Sequence, residues 1–132
     1  MGVAKKIKEL NPKIKIIAAE SNHATPLSMA LKHGGSKAVS RKPSIVDAIG
    51  TPSVIAGYFD EIKAYVSEVV VVSQQEITLA MKDLLACEGQ RVEGAAAVSY
   101  AASRRYKRLN PVKNILAILS GGNISPKSEQ FR

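Results

Sequence analysis

A chain of 132 residues, 45% of them hydrophobic, can bury one core and amounts to about one domain. Nineteen basic residues against eleven acidic ones leave a net charge of +8, and the single cysteine excludes an internal disulfide. No window reaches the ~18 consecutive apolar residues of a membrane span. The first residues lack the apolar stretch of a signal peptide, and position 6 is Lys where a myristoylation signal needs Ser or Thr. One free thiol suits a reducing compartment, so a cytoplasmic location away from membranes is expected.

The elements alternate along the chain. Residues 2–10 read as a helix with Val3, Ile7 and Leu10 on one face. Asn11-Pro12 ends it, because Asn tolerates a left-handed cap and Pro cannot continue the helix. Residues 13–19 begin as alternating Lys and Ile, then turn apolar, which predicts a first strand. A second helix is predicted over 26–32, with Pro26 in its first turn and His33-Gly34-Gly35 closing it. Residues 35–52 are rich in Gly, Ser, Lys, Arg and Pro and read mostly as loop. A helix over about 53–66 precedes Val69-Val70-Val71-Val72, a β-branched second strand.

Ser73-Gln74-Gln75-Glu76 is a capping box opening a helix to about residue 86, with Ile77, Ala80, Met81, Leu84 and Leu85 along one stripe. Cys87, late in that helix, reads as a small buried apolar residue. An Ala-rich helix follows over 95–108. Leu109-Asn110-Pro111 repeats the Leu10-Asn11-Pro12 joint and leads to a predicted third strand, Ile115-Leu116-Ala117-Ile118-Leu119. That strand runs into Ser120-Gly121-Gly122-Asn123, and the polar tail over 124–132 is expected to fray. Helices alternating with short apolar strands predict a three-layer α/β fold, a parallel sheet with helices on both faces. Three strands make a thin sheet that wants more neighbours.

Most catalytic classes lack their residues. There is no Gly-x-Ser-x-Gly elbow and only two histidines, His23 and His33, which excludes the usual hydrolase triads. One Cys and two His supply no standard zinc set. Neither phosphate-cradling glycine motif occurs, and Gly34-Gly35 alone reads as a helix end. The densest basic run, Arg104-Arg105-Tyr106-Lys107-Arg108, falls at a helix end, where cations meet the negative pole of the macrodipole. Four Tyr, two Phe and no Trp are too few for a base-stacking platform, so no nucleic-acid partner is expected.

Two places remain. Ligands in α/β proteins gather at the carboxyl ends of strands. There Ser120 would offer a hydroxyl, and Gly121 and Gly122 would let the backbone come close. Glu93, opening the Ala-rich helix before Gly94, is either a dipole-favoured helix-start acid or a carboxylate aimed into the same crevice.

These stretches carry a family resemblance. Residues 4–20, the run Val69-Val70-Val71-Val72-Ser73-Gln74-Gln75-Glu76-Ile77, the run Val92-Glu93-Gly94-Ala95-Ala96 and the run Leu119-Ser120-Gly121-Gly122-Asn123 occur in order. Together they resemble the C-terminal part of the fold-type II pyridoxal-phosphate-dependent amino-acid lyases. That family includes threonine dehydratases and serine racemases, with threonine synthases more distant. The resemblance implies pyridoxal phosphate as cofactor in the complete enzyme and a partial large domain of the tryptophan-synthase-β type. It implies that Ser120 hydrogen-bonds the cofactor's pyridine nitrogen, that Glu93 and Gly94 lie close to the cofactor, and that Gly121 and Gly122 turn beside its ring. A neutral hydroxyl partner leaves that nitrogen largely unprotonated, which suits β-elimination.

The match has departures. Gly94 stands where the family often has Pro. Some members hold a divalent cation through a glutamate, a backbone carbonyl and an aspartate; Glu20 and Ala24 match the first two, Pro26 stands at the third, and the metal question stays open. The family's Schiff-base lysine lies in a Ser-x-Lys-x-Arg-Gly region that has no match here, and its phosphate-binding glycine loop would end just before Met1. No catalytic residue is therefore assigned within the chain. The expectation is a single α/β domain over 1–132, a C-terminal fragment of a longer two-domain enzyme. It would be inactive alone and would need a missing N-terminal half. The complete enzyme would turn a small β-hydroxy amino acid such as threonine or serine into a keto acid and ammonia, with serine racemase-like or threonine synthase-like activity as alternatives. A non-catalytic, self-associating α/β module is the competing reading.

Overall fold

Two short strands form a parallel pair, β1 (Ile17–Ser21) and β2 (Glu68–Val72), with Ile17 opposite Glu68 and Ser21 opposite Val72. The computed structural model describes residues 1–46, 48–122 and 124. The helices are α1 (Gly2–Leu10), α2 (Pro26–His33), α3 (Phe59–Tyr65), α4 (Gln74–Glu88) and α5 (Gly94–Leu109), with a 3-10 turn at Ala56–Tyr58 leading into α3. The α/β class and the parallel sheet are as the sequence predicts.

Strand β1 starts four residues later than the Lys-Ile alternation suggests. The cause is Asn11. Its side-chain oxygen accepts from the Lys13 amide at 3.1 Å, and its carbonyl accepts from Ile14 at 3.2 Å. That turn occupies the amides a ladder would need. Asn11 itself is extended at φ −151°, not left-handed. The following Pro12 disfavours helical geometry at this position and pushes it to extended backbone.

Helix α4 forms the capping box expected of it. The Ser73 hydroxyl accepts from the Glu76 amide at 3.2 Å, and the Ser73 amide donates to Glu76 Oε2 at 2.8 Å. The Ser73 amide, against a smaller opposing effect of burial, holds the Glu76 carboxyl below its ordinary value; the Ser73 hydroxyl, Arg105 and Arg108 add to this. At the far end Gly89 takes φ +63°, and the amides of Gly89 and Gln90 close on the Leu85 and Leu84 carbonyls.

Ile77, Ala80, Met81 and Leu84 point one stripe of α4 into the core, where they meet Val72, Val92 and the Ala96, Ala97, Val98, Ala101 and Ala102 face of α5. The alanines bring α5 close to α4 and across both strands. Cys87 is exposed rather than buried, because the whole last turn of α4 over 86–88 is exposed. The basic run on α5 is partly paired: Arg104 with Asp83, and Arg105 with Glu76 at 3.3 Å.

The third strand is not formed. Residues 115–119 have no ladder partner among the described residues, and the sheet is two-stranded. Its fixed point is a side chain: Ser99 on α5 donates to the Ile118 carbonyl at 2.7 Å. Leu116 is 85% and Ile118 53% exposed, so an apolar run alone did not make a strand. A strand needs a neighbour to take its amides and carbonyls, and neither edge of this pair receives the segment. The apolar face of α1 is likewise uncovered, with Val3 and Leu10 largely exposed. No helix among the described residues is long and apolar enough to cross a membrane.

Candidate functional site

The start of α5 and the glycine turn after residue 120 come together. Glu93 occupies the N-cap of α5 in extended geometry, and its carboxylate makes no cap to its own helix. The side chain lies instead against Gly121, where an added Cβ would collide with the carboxyl group. The Glu93 amide donates to the Gly121 carbonyl at 3.3 Å, and the Ile124 amide to the Gly122 carbonyl at 2.9 Å. A Cβ on Gly122 would sit 3.4 Å from the Arg91 carbonyl oxygen. Ser120 is exposed, and its hydroxyl has no hydrogen-bond partner among the described residues. Asn123 lies outside the described residues.

Gly94 has a separate packing role that sequence reasoning missed. The loop over 35–55 returns Val46 to the core, where it is 4% exposed. This return passes the first residue of α5. The Ile45 carbonyl oxygen lies where a Cβ on Gly94 would be. No sequence signal marks the contact, since the partners lie 49 positions apart in an irregular loop.

A second polar cluster lies at the carboxyl end of β1. Glu20 is 8% exposed. Its Oε1 accepts from the Leu27 amide at 2.7 Å; its Oε2 accepts from the Ser28 amide at 3.0 Å and the Ser28 hydroxyl at 2.6 Å. The carboxylate thus satisfies the first amides of α2, which has no side-chain cap from Thr25. Beside it is a cavity of about 370 Å³, lined in part by Ser21, His23, Arg41, Lys42 and Thr51. No group of three or more His, Cys, Asp or Glu able to hold a metal ion occurs among the described residues. Glu20, Ala24 and Pro26 do not fit a divalent cation: the one carboxylate already accepts three hydrogen bonds, and Pro26 has no side-chain donor.

Comparison with known proteins gives the class. The family described as pyridoxal-phosphate dependent enzymes matches residues 1–121. The chain belongs to that family, whose complete enzymes use pyridoxal phosphate. It is similar to the L-threonine ammonia-lyase of Thermotoga maritima, 32% identical over 123 residues that make up 93% of this chain and 30% of that one. It is also similar to the L-threonine ammonia-lyase of Geobacter sulfurreducens, 33% identical over 127 residues, 96% of this chain and 32% of that one. Among solved structures, serine racemase from Dictyostelium discoideum superimposes with a TM-score of 0.81 at 30% identity, covering 94% of this chain and 40% of the racemase. Maize serine racemase superimposes with a TM-score of 0.80 at 28% identity, covering 96% of this chain and 40% of that one. The chain thus spans about a third of the length of the curated ammonia-lyases it matches.

Proposed function

We propose that this chain supplies one wall of the cofactor site of a threonine- or serine-dehydratase-like lyase, as the C-terminal portion of a longer enzyme, and that it is inactive alone. The observation that carries the reading is the seat of Glu93 on Gly121, which joins two of the four stretches that carry the family resemblance in one place. Pyridoxal phosphate, when bound, supplies the electron sink for a carbanion at the substrate's α-carbon. Ser120 would hold the pyridine nitrogen by a neutral hydrogen bond. Gly121 and Gly122 leave the turn bare of side chains so that a flat ring can approach the backbone. Glu93, braced by its amide on the Gly121 carbonyl, fixes the other side of the turn. Gly94 fixes where α5 begins. The substrate class, a small β-hydroxy amino acid, rests on the ammonia-lyase relatives.

The test is addition of pyridoxal phosphate to the purified chain, borohydride reduction and peptide mass mapping, beside an assay for keto-acid release from threonine and serine. Scattered or absent labelling and no turnover agree with the proposal. One stoichiometrically labelled lysine, or turnover by the chain alone, refutes it.

One observation favours a second reading, a non-catalytic module that self-associates. The apolar segment over 115–119 is exposed and has no ladder partner among the described residues. Sedimentation separates the two. A concentration-dependent dimer that binds no cofactor favours the module, and a monomer favours the lyase part.

A further inference from the structure

We infer that Glu20 is an internal strut that does the work of a cation at the carboxyl end of β1, so that this chain is held there without any divalent metal. The disagreement with the cation-binding members of the family is one of donor set. A bound Ca²⁺ wants about six to eight oxygen ligands, and Mg²⁺ six in near-octahedral order. Here both oxygens of the one carboxylate are turned to N–H and O–H donors on α2, at 2.6 to 3.0 Å. Three of the carboxylate's about four acceptor positions are thereby taken, which leaves a cation about one oxygen lone pair from the only side chain among Glu20, Ala24 and Pro26 that carries any oxygen. Lys42, among the residues lining the adjacent cavity, brings a positive charge and no side-chain oxygen. Pro26 sits at the first position of α2, where it suits the helix start but brings no oxygen from its side chain.

The geometry also gives the strut a reason. The N-terminal amides of a helix are unpaired and carry partial positive charge. Thr25, at the N-cap, makes no side-chain bond to them. Glu20, 8% exposed and on a strand seven residues earlier, supplies the missing acceptors. The same carboxylate that would ligate a cation thereby ties α2 to β1 directly. This inference stands apart from the lyase reading, since its readout is stability and amide protection rather than turnover.

The experiment is thermal unfolding of the full chain in EDTA and in millimolar Mg²⁺, Ca²⁺ and Mn²⁺, with Glu20→Gln and Ser28→Ala beside the parent. The parent midpoint is expected to stay the same in all four conditions. Glu20→Gln should lower it by roughly 5–10 °C, since hydrogen bonds to a charged acceptor are lost. Ser28→Ala, which removes one donor of three, should lower it less. In hydrogen exchange, the Leu27 and Ser28 amides should be protected in the parent and fast in Glu20→Gln. A saturable rise of the parent midpoint with any of the cations overturns the inference. So does a Glu20→Gln protein with an unchanged midpoint and unchanged protection at Leu27 and Ser28.

Discussion

Replacing Gly94 by alanine should destabilise this protein, against the usual sign for such a change in a helix. Alanine normally gains about 0.5–1 kcal/mol over glycine in a helix interior. At Gly94 the new Cβ would enter the space of the Ile45 carbonyl oxygen, and would lie 3.1 Å from the Ile45 carbonyl carbon and 3.4 Å from its Cγ1. The obstacle is backbone, so no side-chain rotation relieves it. Either α5 shifts at its first turn or the loop lifts, and the next loop residue, Val46, is 4% exposed in the core. Overpacking of this kind costs about 1–3 kcal/mol. Set against the propensity gain, the expected net loss is about 1 kcal/mol. The assay is urea unfolding of Gly94→Ala with Gly2→Ala as control, since nothing lies within 4 Å of a Cβ on Gly2 in α1. The control should be neutral or slightly stabilised. If Gly94→Ala is as stable as the parent, or more so, the close approach of Ile45 is not what places glycine there.

Other outcomes follow from the same geometry. Gly121→Ala should cost less than Gly94→Ala, because the colliding group is the end of the Glu93 side chain, which can swing away; the loss should appear as weakened cofactor binding in the assembled enzyme. Glu76 has a lowered carboxyl pKa when folded, so its contribution to stability is present above the unfolded value and is lost as pH falls through the folded one. Glu76→Gln should therefore lower stability at pH 7 and flatten its decline below about pH 4.5, read by urea midpoints across pH. Leu116→Lys, at a site 85% exposed, should change the unfolding free energy by less than about 0.5 kcal/mol. Under the self-association reading it should also abolish the concentration-dependent dimer that sedimentation of the parent would then show.

The readable elements were those whose reasons are local. The capping box at Ser73 and Glu76 needs only four consecutive residues, and the Ile77, Ala80, Met81 and Leu84 stripe needs only the helical period. The valine run became β2 because β-branched residues fit a pleated strand wherever a partner exists. The same reasoning failed for residues 115–119. Their composition is as strand-like, but pairing is a property of neighbours, and no described strand stands beside them. It failed by a few residues at β1, where one asparagine side chain outcompeted the Lys-Ile alternation for the local amides.

At the candidate site the division is similar. Glu93, Gly121 and Gly122 were named by the motifs they sit in, because a turn without side chains and an acid at a helix start are visible one residue at a time. Local sequence therefore determined the class of fold and most of the helices, while the helix predicted over about 53–66 is shortened to a 3-10 turn at Ala56–Tyr58 and α3 over Phe59–Tyr65. Only the tertiary structure decided that Glu93 turns from its own helix onto Gly121, that Gly94 yields to the Ile45 carbonyl, and that Glu20 satisfies the amides of α2. Each of those contacts joins segments separated by a turn, a loop or a helix. Such contacts leave no period or spacing in the chain, because they depend on where the packed core brings the backbone.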